Sequence, residues 1–300
     1  MLHSLLKQFI PSDRLFTNKP MASHTSMKVG GIADIYVQPA TKDELVKIIE
    51  ICRHQNEKHI ILGNASNVLV PDEGLRMLVI QLYPHFSGVS CKDNCLTAEA
   101  GAMLASAANL ALENELSGLE FASGIPGTVG GAICMNAGAY EHDIKEVCTS
   151  VEMLMPDGQI KTFSNSEMEF AYRHSIIQKN GGIVLSAAFS LKPGKKEEIK
   201  EYMRDLNQRR RTSQPLEYPS VGSTFKRPPG HFAGKLISDS GLKGYSIGGA
   251  QVSEKHAGFI VNKGNASAQN VLDLMKHIQQ KIWEDYAVKL EPEVKILCNS

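Results

Sequence analysis

Two glycine-rich segments are the first stretches of the chain suited to chemistry: Gly63-Asn64-Ala65-Ser66-Asn67 and Gly124-Ile125-Pro126-Gly127-Thr128-Val129-Gly130-Gly131. Glycine admits positive φ and lets backbone N–H groups come close to an anion, so such loops can cradle a pyrophosphate. Neither is a G-x-G-x-x-G between a strand and a helix, and no Walker lysine follows the second, so the Rossmann and P-loop motifs do not apply. Taken singly each could be a tight turn; two in adjacent units favour a dinucleotide. Arg173 stands between Tyr172 and His174 ahead of an apolar stretch, and an enclosed guanidinium there suits bidentate recognition of carboxylate or phosphate. Ser223 lies in a Gly/Pro-rich loop with no G-x-S-x-G elbow around it. A hydrolase nucleophile is therefore disfavoured, and a hydroxyl proton donor is the role left open. Lys226 and Arg227 beside it meet either a nucleotide phosphate or solvent. Glu293 starts an apolar segment near the chain end, with Glu291 as its rival for any role. His24 has the context of a capping or packing residue.

The elements that must position these groups follow from periodicity. Thr41 and Glu44 form a capping-box pattern ahead of a helix to Gln55, with Leu45, Ile48, Ile49 and Cys52 on one face. His59–Leu62 reads as a buried strand that breaks at the first glycine-rich segment, and Val68–Val70 and Leu78–Leu82 are further strands. A hairpin over Val89–Ala100 precedes a helix over Met103–Glu113, with Leu104, Ala107, Ala108 and Ala111 facing inward. Val151–Met155 and Gln159–Phe163 flank an Asp157-Gly158 turn and read as a second hairpin. Ile183–Leu191 is another strand, and Lys192-Pro193-Gly194 reads as a linker. Lys196–Arg211 is a charged amphipathic helix with Ile199, Tyr202, Met203 and Leu206 as its stripe. A loop-rich segment runs from about 212 to 265. Ser267 then caps a long helix striped by Val271, Leu274, Met275, Ile278 and Ile282, and Glu293–Leu297 is a final strand. The reading is α+β, in three modules: residues 1–82, 83–192 and 193–300.

Composition narrows the partners. Lys+Arg and Asp+Glu both number 32, so no bulk field draws the chain to nucleic acid or an anionic membrane, and an anionic ligand must be held by local arrangement. The apolar run from Met1 to Phe9 is short and interrupted by His3, Lys7 and Gln8, unlike a secretory signal, and no stretch approaches the ~20 apolar residues of a membrane span. Of the six cysteines only Cys91 and Cys95 are close, with no second pair or nearby histidine, which reads as structural rather than as a metal site. Scattered thiols suit a reducing compartment, so cytoplasm is expected.

Read together, the motifs resemble one family, UDP-N-acetylenolpyruvoylglucosamine reductase. The matching segments are Asn18–Gly31, Gly63–Val70, Leu119–Gly131, Met135–Tyr140, Tyr172–Ser175, Gln214–Pro228, Gly248–Phe259 and Leu290–Ile296, which run in family order over nearly the whole chain. The resemblance implies a two-subdomain FAD-binding fold of the vanillyl-alcohol oxidase type plus a C-terminal α+β substrate domain. Gly241–Asn262 looks like the short-loop subgroup, which lacks a tyrosine-bearing insertion. The implied reaction is reduction of UDP-N-acetylglucosamine enolpyruvate to UDP-N-acetylmuramate, a peptidoglycan precursor, with NADPH as hydride donor and non-covalent FAD as carrier. Arg173 and Glu293 match the family residues beside the substrate carboxylate, and Ser223 matches the proton donor. The two glycine-rich segments match the FAD loops, and Tyr140, Tyr172, Lys226 and Arg227 are candidates for holding the substrate. Two positions depart from the family: Ala65 replaces a usual glycine, and Glu141 follows Tyr140 where glycine is common. A Cβ at either puts φ and the approach of the flavin in question, while the three catalytic positions are intact. Two other readings keep the same pockets: a flavin oxidase needing no NADPH, and a nucleotide-sugar sensor without turnover.

Overall fold

Caps and apolar periodicity account for most of the helices in this computed structural model, which describes residues 2–299. The first helix, α1 (Leu2–Leu6), buries both of its terminal leucines. α2 (Lys42–Gln55) starts where the Thr41 hydroxyl accepts the Glu44 N–H at 3.2 Å, and ends at Asn56 in the left-handed conformation at φ 53°. It buries the four residues expected of its stripe. α3 (Leu104–Glu113) likewise buries Leu104, Ala107, Ala108 and Ala111. α4 (Val129–Met135) and α5 (Ile177–Asn180) are short, and α6 (Lys196–Ser213) buries Ile199, Met203 and Leu206. Tyr202 is exposed rather than part of that stripe.

Contacts divide the chain into two units, Met1–Thr17, Ile35–Asn64 and Met77–Arg210 on one side, and Asn18–Asp34, Ala65–Arg76 and Arg211–Ser300 on the other. The first unit has a single hydrophobic core that runs from Leu2 and Leu6 through Ile48 and Leu78 to Phe189 and Leu206. Its main sheet is five-stranded and antiparallel, in the order Ile160–Ser164, Cys148–Leu154, Ile183–Ser190, Cys95–Glu99, Val89–Lys92. Both expected hairpins are present in it, with Asp93 at φ 53° and Gly158 at φ 87° in their turns. A second sheet in this unit pairs His59–Leu62 parallel to Leu75–Gln81, with His59 opposite Leu78 and Leu62 opposite Gln81. Lys192-Pro193 is a correction to the expected linker: it pairs antiparallel with Leu116-Ser117.

The second unit corrects the expected loop-rich stretch from 212 to 265, which holds a four-stranded sheet and a helix. The sheet runs Ser220–Ser223, Phe259–Asn262, Ala250–Val252, Ser246–Ile247, and α7 (Ala233–Asp239) lies in the same stretch. α8 (Ala268–Tyr286) follows, with Ser267 and Asn270 forming a reciprocal capping box and all five stripe residues buried. Asp72 adds a second cap, its carboxylate accepting the Ala268 and Gln269 N–H groups at 2.8 and 2.9 Å. A carboxylate there is doubly favourable, because it satisfies orphan donors and opposes the positive end of the helix dipole. The final strand is shorter than expected, Lys295–Ile296, and runs parallel to Val68–Leu69. Among the described residues no helix is long and apolar enough to cross a membrane.

Candidate functional site

In the first unit the second glycine-rich segment leads into α4. The backbone of this turn is held by Leu104 N–H to Gly127 O (3.0 Å), Val129 N–H to Ala102 O (2.8 Å) and Gly130 N–H to Ala100 O (2.8 Å). Gly63 packs against it so closely that a Cβ there would lie 2.0 Å from Thr128 Oγ1, and the Asn64 side chain donates to Pro126 O at 3.1 Å. The residues Gly63-Asn64 and Pro126-Gly127-Thr128 therefore form one continuous surface. Gly130 is packed, with a Cβ reaching 2.9 Å from Ala100 Cβ, whereas Gly131 is exposed and a Cβ there meets nothing nearer than Thr128 Oγ1 at 3.7 Å. Behind the first loop, buried Tyr36 donates to Gln81 Oε1, and Gln81 Nε2 donates to Gly63 O at 2.9 Å. Two buried polar side chains thus fix the Gly63 peptide, and neither carried a sequence motif.

The far end of α4 holds Arg173. Ala171 and His174 exchange backbone hydrogen bonds at 3.1 Å each way, closing a two-residue turn in which Arg173 sits at φ 53°. Glycine is the usual occupant of a left-handed second turn position, and a residue with a Cβ costs about 1–2 kcal/mol there. The turn is anchored to α4 and its C-cap by three side chains: Asn136 to Ala171 O (3.2 Å), Ser175 to Cys134 O (2.9 Å), and Gln178 to both Cys134 O and Arg173 O (3.1 Å each). Arg173 is half-buried, with its guanidinium 5.0 Å from the ring centroid of exposed Tyr172. One short helix therefore ties the glycine-rich surface to a strained arginine.

Tyr140 and Glu141 form the turn between Gly138-Ala139 and His142-Asp143, at φ 54° and 68°. Positive φ at both central residues is the type I′ geometry that normally selects Asn-Gly. The Tyr140 hydroxyl donates to Leu206 O at 2.9 Å and faces Arg210 at the end of α6. Arg210 also approaches the glycine loop: a Cβ on Gly124 would meet Asn207 Oδ1 at 2.5 Å and Arg210 Nη1 at 3.3 Å. Arg210 Nε is buried without a hydrogen-bond partner, and burial pushes this guanidinium below the usual arginine range, against the opposing effect of Tyr140. Sequence reading missed Arg210. The available signal was a charge at the position four residues after Leu206, in register with the buried stripe.

In the second unit, Ser223 ends the strand Ser220–Ser223. Ser220 faces Val261 and Ser223 faces Phe259, so one extra residue bulges between them, at Gly222 with φ 78°. Such a bulge re-aims the side chain that follows it. Ser223 is half-buried, and the adjacent Thr224 is buried, donating its N–H to Gly258 O at 2.9 Å. The segment carrying Glu293 lies alongside. Glu293 N–H donates to Thr224 O at 2.8 Å, Lys226 N–H donates to Glu291 O at 2.9 Å, and Phe225 bridges Pro292. Ser223 and Glu293 are thus brought onto neighbouring segments, while Arg173 belongs to the first unit. Asn67 joins them, its side chain donating to Glu293 O at 3.3 Å and its carbonyl accepting Lys295 N–H at 3.0 Å. Ala65 is buried at φ 47° with its carbonyl accepting Ser26 N–H, so the left-handed geometry that glycine serves elsewhere is kept here by alanine. Lys226 pairs with Glu291 at 3.4 Å, and Arg227 lies over the Phe232 ring at 4.5 Å. His24 ends a 3-10 turn, and burial, then Lys19 and Lys28, hold its pKa below the usual histidine range.

Comparison with known proteins gives concordant results. The family model for the C-terminal domain of UDP-N-acetylenolpyruvoylglucosamine reductase matches residues 214–297, and one for an FAD-binding domain matches residues 33–164. The reductase of that name from Caldanaerobacter subterraneus subsp. tengcongensis is 52% identical over 97% of this chain and 96% of its own. That from Agathobacter rectalis is 50% identical over 96% and 95%. The crystal structure of UDP-N-acetylenolpyruvylglucosamine reductase from Thermus caldophilus superposes with a TM-score of 0.81 at 35% identity, covering 95% of this chain and 98% of that one.

Proposed function

The chain belongs to the UDP-N-acetylenolpyruvoylglucosamine reductase family and carries out that reduction as an FAD enzyme, and we propose that it does so with NADPH as donor and with Arg173, Ser223 and Glu293 as its catalytic residues. The observation that carries the residue assignment is the turn at Arg173. A left-handed arginine held by three separate side chains is retained at a cost, and such strain is typical of sites where a side chain must be aimed. The residues of the glycine-rich surface fit a flavin nucleotide. Gly63 is approached closely by Thr128 and Gly124 by Asn207 and Arg210, Gly131 opens to solvent, and Arg210, whose buried Nε has no hydrogen-bond partner, borders the loop.

FAD held by the two glycine-rich segments would supply the redox chemistry, hydride transfer from NADPH to the terminal carbon of the enolpyruvyl group. The protein's task is the negative charge this creates at the adjacent carbon and its carboxylate. Arg173 provides a preorganised cation for it, an effect worth roughly 3–4 kcal/mol for one good donor. Glu293 is assigned to the substrate carboxylate. Ser223 delivers the proton that completes the reduction to that carbon. A serine hydroxyl is a weak acid and does so only toward a strongly basic carbanion in a site that excludes water. Tyr140, Tyr172, Lys226 and Arg227 are assigned to the substrate, and Gly63 to Asn67 and Gly124 to Gly131 to FAD. The cytoplasm is the proposed location, a reading supported by six free cysteines.

Anaerobic stopped-flow absorbance tests the scheme. NADPH should bleach the visible flavin band, and UDP-N-acetylglucosamine enolpyruvate should restore it. In Ser223→Ala the bleaching should persist at the normal rate while product formation stops. Recovery of colour only with oxygen would overturn the reductase scheme, and normal turnover in Ser223→Ala would remove Ser223 from it.

A further inference from the structure

Arg210 stands on the buried stripe of α6, where Ile199, Met203 and Leu206 precede it. Arginine at such a position usually extends its head group to water over an apolar stem. Here the Nε is buried and makes no hydrogen bond. Leaving the Nε donor buried without an acceptor is costly, and the guanidinium's side-chain hydrogen-bond partner, the Tyr140 hydroxyl, is a neutral group. The surroundings are arranged to receive it. Gly124 lacks the Cβ that would meet the guanidinium at 3.3 Å, and the Tyr140 hydroxyl, itself fixed on Leu206 O, faces it. Tyr140 is carried by a type I′ turn whose two central residues are both strained.

We propose that Arg210 is the counter-cation of the bound flavin nucleotide, its guanidinium meeting an anionic group of FAD across the Gly124 loop. The inference rests on the reading of this chain as an FAD enzyme and extends it to a residue outside both glycine-rich segments. Two parts of FAD offer that anion: the diphosphate, charged in both redox states, and the flavin ring, which gains negative charge on reduction.

Arg210→Met and Arg210→Lys separate the possibilities through measurements other than turnover. Apoprotein melting, FAD affinity by flavin fluorescence, ADP affinity by calorimetry and the flavin midpoint potential are compared with wild type. Apo Arg210→Met should melt at or above the wild-type temperature, because a charge with a buried, unsatisfied Nε has gone, while FAD binding weakens at least tenfold and Arg210→Lys recovers part of it. If the diphosphate is the partner, ADP binding falls in parallel and the potential is unchanged. If the flavin ring is the partner, ADP binding is unaffected and reduced FAD loses more affinity than oxidised FAD, each tenfold difference lowering the potential by about 30 mV. Wild-type affinity for FAD with an unchanged potential in Arg210→Met overturns the proposal. So does an apoprotein destabilised by the substitution, which would mark a structural role. A wild-type chain that binds no FAD at all overturns the cofactor reading itself, and this inference with it.

Discussion

Gly63→Ala should uncouple the glycine-rich surface by a single methyl group. The added Cβ would lie 2.0 Å from Thr128 Oγ1 and 3.1 Å from both Thr128 Cβ and Cγ2. Non-bonded heavy atoms reach their optimum near ~3.5–4.0 Å, so the contact must open by more than an ångström. Thr128 is 2% exposed and cannot swing into solvent. Rotation about χ1 does not remove the crowding, since both branches of the side chain already face the Gly63 position. Overpacking of this kind costs about 1–3 kcal/mol. If the loop yields instead, it strains the hydrogen bonds from Gln81 Nε2 to Gly63 O and from Asn64 Nδ2 to Pro126 O, each worth about 1 kcal/mol. The expected total is roughly 2–3 kcal/mol, equivalent to a 30- to 150-fold weaker FAD complex if the displaced loop carries the loss. Urea unfolding of the apoprotein and fluorescence titration with FAD read the two contributions. Thr128→Ala removes both offending branches, so the double variant should cost at least 1 kcal/mol less than the two single changes added together. Strict additivity, or wild-type FAD affinity in Gly63→Ala, would refute the claim that the two loops form one surface.

Two further substitutions address other parts of the first unit. The hydrogen bond from Arg14, at 2.6 and 2.8 Å to the two carboxylate oxygens, holds the Glu44 pKa below the usual carboxylate range, helped by the Ala40 N–H. A folded-state pKa lowered in this way contributes stability in full above the unfolded value of about 4.3 and loses it as pH falls through the folded value. Glu44→Gln should therefore cost about 1–2 kcal/mol at pH 7 and flatten the acid limb of a stability profile taken by urea unfolding from pH 7 to pH 3. At the strained turn, Arg173→Gly should leave thermal stability unchanged or slightly raised, because glycine occupies φ 53° freely, while turnover is lost. Arg173→Lys keeps the charge and the strain, and should retain stability with kcat reduced on the order of 10²–10³-fold.

Helices were legible in the sequence because their signals are local. Thr41 with Glu44, Ser267 with the stripe from Val271 to Ile282, and the alanine-rich face of α3 all sit within a few residues of the elements they specify. The stretch from 212 to 265 was not legible as a sheet for the opposite reason. Its strands are two to four residues long, and apart from the tight hairpin of Ser246–Ile247 with Ala250–Val252 they pair across longer separations, Ser220 with Val261 and Ala250 with Asn262. No alternation can develop over so short a run. Lys192-Pro193 failed similarly, since its partner Leu116-Ser117 lies far back in the chain and Pro-Gly is a usual sign of a break. At the candidate site, residue types drew attention to Arg173, Ser223 and Glu293 and the resemblance supplied their roles. The buried relay of Tyr36 and Gln81 carried no pattern, because a tyrosine or glutamine on a strand reads the same whether it packs or positions a loop.

Positive φ alone does not mark a site. Asn56 and Ala287 are left-handed at helix C-caps and Asp93 in a hairpin turn, where the local chain reversal accounts for each. Arg173, Tyr140 and Ala65 differ in what surrounds them. Arg173 is braced by Asn136, Ser175 and Gln178, Tyr140 is tied to Leu206 beside Arg210 with its unpartnered Nε, and Ala65 is buried inside the first glycine-rich segment. A merely tolerated strain would need no such bracing, because a glycine at any of the three positions would remove it. Local rules are thus broken together with the interactions needed to hold them broken, the combination expected where geometry is kept for chemistry rather than for stability. The same logic singles out Arg210. An apolar residue there would complete the stripe of α6, and a charge in its place has a physical rationale only if something negative arrives to meet it.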